Sequence, residues 1–182
     1  MTDSKFSKLE RLLLSNQYKI LEKLYPDEAD YYSQHRIALE KGYELNYSWA
    51  FDNIYDGLSE EGCREVIDIL NMYRVITFSA KELEIEQDFR SHPWFIFPGF
   101  DGNNESSQLS YCRYFIVELG RFNELRREGD YQDFNSHAPT LCKYRAMLRE
   151  FRKAQSGDVI LKPSLTKEEI SRILDTGHAI RI

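Results

Sequence analysis

The chain has 182 residues, 24 Lys+Arg against 30 Asp+Glu for a formal net charge of -6, and 42% apolar residues. That balance suits a folded domain and excludes wholesale disorder, and no run of about 18 uncharged apolar residues is present to cross a membrane as a helix. Three widely spaced cysteines, Cys63, Cys112 and Cys142, read as reduced thiols and not as a disulfide framework or zinc site; the opening MTDSKFSKLERLLLSNQ lacks a basic stretch before an apolar block, so a cytoplasmic location is predicted.

In chain order, the first predicted helix runs from about Ser4 to Leu24, with Phe6, Leu9, Leu13, Ile20 and Leu24 on one face. Pro26 ends it, and Asp27 is placed to cap a second helix through Tyr31, Ile37 and Leu39 that stops before Gly42. An aromatic stretch (Trp49, Phe51, Ile54, Tyr55) and an Asp56-Gly57 turn lead to Ser59, a predicted N-cap. Glu60 and Glu61 fill the first turn of that helix, and Val66, Ile67, Leu70, Tyr73 and Thr77 form its apolar stripe.

Prolines, glycines and asparagines cluster at 91–104, and the net charge changes there, from -7 over residues 1–100 to +1 over 101–182. The expectation is one domain over 1–182, made of two helical halves joined by a loop near 91–104. Beyond it, a helix from about Asn104 to Arg127 is apolar nearly all round between Leu109 and Phe122, as at the centre of a bundle or at a subunit contact. Pro139 opens another helix with Leu141, Tyr144, Leu148 and Phe151 on its buried face. The last helix starts at a capping box of Thr166 and Glu169, with Leu165 and Ile170 at staple positions, and Gly177 is read as its left-handed close. Only Asp158-Val-Ile-Leu and Trp94-Phe-Ile-Phe have strand composition, and both are flanked by proline. The fold class is therefore all-α, a single multihelical bundle-like domain of about six to eight helices.

No phosphate-cradling, dinucleotide, nucleophile-elbow or paired-histidine metal motif is present, so neither a catalytic set, a cofactor nor a metal is predicted. Asp101-Gly-Asn-Asn-Glu105 is faintly like a calcium loop. Its sixth position is Ser106 where glycine is needed, and the reading is a loop ending in an N-cap at Asn103 or Asn104. Asn16 and Gln17 interrupt the apolar stripe of the first helix. A buried amide needs partners, so they are read as register-fixing bonds to a neighbouring segment or as pocket lining. Arg74 and Arg113 sit in apolar helical surroundings, each calling for a carboxylate partner or an anionic ligand. Arg145, Arg149 and Arg152 form a basic stripe, the pattern of a solvated face or of a phosphate contact. The cysteines sit beside apolar or acidic neighbours, which does not favour a thiolate nucleophile.

Four pieces of the sequence carry a resemblance: Arg11-Leu-Leu-Leu-Ser-Asn-Gln-Tyr-Lys19, Cys63-Arg-Glu-Val-Ile-Asp-Ile-Leu-Asn-Met-Tyr73, Gly99-Phe-Asp101 with the aromatic run around Tyr111, and Asn135 followed by Pro139 and Lys143-Tyr144. With them the chain, from about Leu9 to Leu174, resembles the YfbU family. The resemblance implies a small, mainly helical bacterial or archaeal cytosolic protein and supplies no catalytic residues. Relatives joined to helix-turn-helix segments imply regulation. The reading is a non-enzymatic, homo-oligomeric binding or regulatory module, in regulation or stress response, whose partner is itself or another protein. One alternative is an enzyme or binder for an anionic compound, using Asn16, Gln17, Arg74 and Arg113. The other is nucleic-acid contact through Arg145, Arg149 and Arg152.

Overall fold

A computed structural model describes residues 5–52, 54, 57–126, 133–155 and 164–180. Among them the chain is all-α, with seven α-helices, short 3-10 and π turns, and one isolated backbone bridge between Phe100 and Asn135. It divides into two compact units, Met1–Asp56 and Gly57–Ile182. The division falls at residues 56 and 57. The 91–104 segment, expected to join two halves, instead supplies Trp94, Phe97 and Phe100 to the core of the second unit.

In the first unit, α1 (Lys8–Leu24) starts at Ser7, whose hydroxyl accepts from Glu10 N–H while the Glu10 carboxylate takes Ser7 N–H. Sequence periodicity extends the helix back to Ser4; the capping box sets its start at Lys8. The 3-10 turn Pro26–Glu28 leads into α2 (Ala29–Lys41), and no side chain caps that helix, so Asp27 does not play the role expected of it. Gly42 closes α2 at φ 76°, as expected of glycine in the left-handed region. The two helices pack antiparallel: Tyr25 meets Tyr32, Glu22 accepts from Arg36 at 2.5 Å, and Lys19 pairs with Glu40 at 3.0 Å. His35 is buried in this seam, stacked on Tyr18 at 5.2 Å, and burial holds its imidazole below the usual histidine range.

The second unit is built on α3 (Glu60–Glu82), capped by the Ser59 hydroxyl on Gly62 N–H at 3.2 Å. Val66, Ile69, Leu70, Met72, Tyr73, Ile76 and Ala80 are fully buried along it, whereas the expected stripe members Ile67 and Thr77 are half-buried. One-turn α4 (Glu86–Phe89) follows, and Trp94-Phe-Ile-Phe97 forms turns, not a strand. The long helix expected from Asn104 to Arg127 is broken. It comprises α5 (Ser106–Arg113), a π turn at Tyr114–Glu118, Gly120 at φ 61° and a 3-10 turn at Asn123–Leu125. Composition alone hid the break, because apolar residues continue on both sides of it; Cys112 and Ile116 are buried while Tyr114, Val117 and Leu119 are exposed.

Helix α6 (Leu141–Gln155) packs against α7 (Lys167–Ala179), which begins at the expected capping box of Thr166 and Glu169, with Leu165 and Ile170 both buried. Gly177 does not close α7 but lies inside it. A Cβ there would come within 2.6 Å of Met147 Sδ, so the glycine permits close approach of the two helices. The strand-like Asp158–Leu161 stretch lies outside the described residues.

One carboxylate joins the middle of this unit. Glu105 is only 4% exposed and sits at the N-cap of α5, yet its side chain serves the start of α6. Its Oε1 accepts from Thr140 N–H at 2.7 Å and Leu141 N–H at 2.8 Å, and its Oε2 accepts from Asp101 N–H at 3.0 Å and the Thr140 hydroxyl at 2.7 Å. Orphan helix donors and the helix dipole together favour an anion there. Asn103 and Asn104, expected as N-caps, turn toward Asp101 instead. The Asn104 amide, and then the Asn103 backbone, hold that carboxyl below the usual range. The two carboxylates of the loop that faintly resembled a calcium site, Asp101 and Glu105, thus accept from backbone, amide and hydroxyl donors.

Two further groups lock this hub. Asn135 Oδ1 accepts from Gly102 N–H and His137 N–H, at 3.1 and 3.0 Å, and the buried Tyr144 hydroxyl donates to the Gly99 carbonyl at 2.5 Å. Gly99 lies at φ 92° with Phe134 O pressed against it.

Candidate functional site

Three surfaces hold the candidate residues singled out from the sequence, Arg113 excepted. The first is the groove between α3 and α6. Arg145 makes a two-armed contact with Glu65, at 2.7 and 2.9 Å, and Arg152 reaches Asp68 at 2.7 Å, with exposed Arg149 between them on α6. The basic stripe therefore faces an acidic one. Such surface pairs each add under about 1 kcal/mol, but they neutralise the charge a phosphate backbone would need.

The second is a cleft of about 490 Å³ beside α3, lined by Ile67, Asn71, Arg74, Phe115, Phe122 and Glu124 among others. The π turn and the left-handed Phe122, at φ 55°, fold the chain back to close it. Such a φ costs a bulky residue roughly 1–2 kcal/mol, offset here by burying its ring and by the Arg74 guanidinium, 3.9 Å above it. Arg74 Nε is bound by the Glu124 carboxylate, so an incoming anion would have to displace that partner. Arg113, half-buried on α5, is engaged elsewhere and does not line the cleft.

The third surface is the outer face of α1. Asn16 and Gln17, expected to be buried, are exposed, and so are Leu9, Leu13, Ile20 and Leu24 of the stripe they interrupt, whereas Phe6 is half-buried against Tyr47 and Phe51. Leu9 is 64% and Leu24 65% exposed, with Leu12, Leu13 and Ile20 between them also more than half exposed. The physical reason is that α1 has two apolar faces: Leu14, Tyr18 and Leu21 turn toward α2, while the stripe turns away. Periodicity located the stripe but could not say which face α2 covers.

Among the described residues, no group of three or more His, Cys, Asp or Glu side chains could hold a metal, and no helix is long and apolar enough to cross a membrane. The thiols differ in setting: Cys142 is exposed, Cys63 half-buried, and burial pushes Cys112 up to about 12. Native alkylation mapped by mass spectrometry is accordingly expected to modify Cys142 first, and Cys112 only after unfolding in urea; labelling of Cys112 in the native protein would contradict its burial.

The architecture is that of an all-helical protein whose central carboxylate hub serves structure. The YfbU domain model matches residues 4–176, and the chain belongs to that family. It is similar to the UPF0304 protein MJECS11 of Methanocaldococcus jannaschii, 36% identical over 171 residues that cover 93% of this chain and 98% of the relative. The Gly99-Phe-Asp101, Asn135 and Pro139 segments that carried the resemblance in sequence frame the Glu105 hub. The role of Glu105 at the start of α6 escaped sequence reasoning, which placed it only in the calcium-like loop, because Thr140 and Leu141 lie 35 and 36 residues away.

Proposed function

We propose that this chain is a non-enzymatic, homo-oligomeric module of the cytoplasm that acts by binding, in a regulatory role. The observation that carries the reading is the condition of the first unit. Among its described residues only Ala38, Leu39 and Tyr47 are buried apolar side chains, while α1 presents to solvent an apolar stripe of Leu9, Leu13, Ile20 and Leu24, interrupted by Asn16 and Gln17. A unit of that size with so small a core is marginal by itself, and an exposed apolar face of this extent marks a contact surface. The ion-paired α3–α6 groove and the occupied Arg74 support the reading by leaving less charge for phosphate or other anions.

Size-exclusion chromatography with light scattering is expected to return a dimer or higher assembly at micromolar concentration. A strictly monomeric protein across that range would overturn the proposal.

A further inference from the structure

We infer that a second copy of this chain covers the outer face of α1, and that the two α1 helices run antiparallel about a two-fold axis at Asn16 and Gln17. This deepens the oligomeric reading above and rests on it. An isologous contact requires a surface complementary to itself. The exposed stripe has that property: Leu9, Leu13, Asn16, Gln17, Ile20 and Leu24 read with the same spacings from either end, apolar outside and amide in the middle. At 100° per residue these six positions span about 100° of the helix, a single seam.

An antiparallel two-fold sets Leu9 opposite Leu24 of the second copy and Leu13 opposite its Ile20. Asn16 and Gln17 then lie beside the axis, where each meets its own equivalent. A carboxamide has both a donor and an acceptor, so it satisfies its own copy across an axis, which a lysine or glutamate cannot do. No charged side chain occupies the stripe, and a lone polar position in an apolar helix seam fixes register. Leu9, Leu12, Leu13, Ile20 and Leu24, each more than half exposed, offer on the order of 500 Å² per copy, and the stem of Lys23 at the edge of the seam adds to this toward the ~800 Å² per partner of a standard interface.

Cysteine cross-linking in a Cys142→Ser background tests the seam, with the background protein as control. Gln17→Cys is expected to give a covalent dimer under mild oxidation. Leu9→Cys alone should not, because equivalent positions then lie about 22 Å apart along the helices, whereas a mixture of Leu9→Cys and Leu24→Cys should cross-link. Leu13→Glu, at an exposed position, should keep the helical circular dichroism and weaken assembly at least 100-fold. Self-linking of Leu9→Cys would show a parallel pair and overturn the proposed geometry. An assembly that Leu13→Glu leaves intact, with no Gln17→Cys link, would remove α1 from the interface while the oligomeric reading stands. A monomeric parent protein would remove both.

Discussion

Replacing Glu105 by alanine is expected to lower the unfolding free energy by roughly 3–5 kcal/mol, a large share of the ~5–15 kcal/mol a domain possesses. The carboxylate accepts from three backbone N–H groups and one hydroxyl in a buried setting, and alanine leaves all four donors without it. Each buried donor so abandoned costs about 1–3 kcal/mol, reduced where water enters the vacated space. Glu105→Gln should fall between alanine and the parent. It keeps one oxygen for Thr140 and Leu141, but turns an amide NH₂ toward Asp101 N–H. Urea titration followed by far-ultraviolet circular dichroism measures both. A loss below about 1 kcal/mol for alanine would show that the carboxylate does not carry the start of α6.

Gly99→Ala is expected to be comparably damaging, at about 3–6 kcal/mol, for a different reason. A Cβ at this position would stand 1.8 Å from the Phe134 carbonyl oxygen and 2.4 Å from its carbon. Neither backbone has an easy retreat, because Phe100 N–H donates to that same carbonyl at 2.9 Å and Ser136 N–H donates to Phe100 O at 3.1 Å. The φ of 92° adds a conformational penalty for any L side chain. Thermal unfolding should show a large drop in Tm or no cooperative transition. The control is Gly57→Ala, where a Cβ meets nothing within 4 Å, and it should stay near the parent. A Gly99→Ala protein as stable as that control would contradict the close approach of the two segments.

Features that act within one turn of helix were readable in the sequence. Ser59, Gly42 and the Thr166–Glu169 pair do their work over three or four residues, so residue type and spacing suffice. Ser7-Lys-Leu-Glu10 carries the same signature as Thr166–Glu169 and would have set the start of α1 had it been weighed against periodicity. What could not be read are relations made across the fold. Gly177 has the composition of a helix stop, yet Met147 and Trp94 beside it explain why a glycine is needed. The π turn at Tyr114–Glu118 has no periodic signal, since widening one turn leaves residue types unchanged. Of the candidate residues, Arg74 needed a carboxylate as expected, but Glu124 stands 50 positions on. Asn16 and Gln17 were legible as interruptions of a stripe; that the stripe is bare follows only from where α2 packs.

The reach of Glu105 has a bearing on how this molecule comes together. Most helices carry their own starting signal and begin to coil while the rest of the chain is still loose. Helix α6 borrows its signal from a segment some three dozen residues earlier, so its first turn frays until that loop has closed and the entropy of closure has been spent. Local coiling and long-range docking thereby merge into one cooperative event, and the opening of α6 is timed by the arrival of a distant side chain.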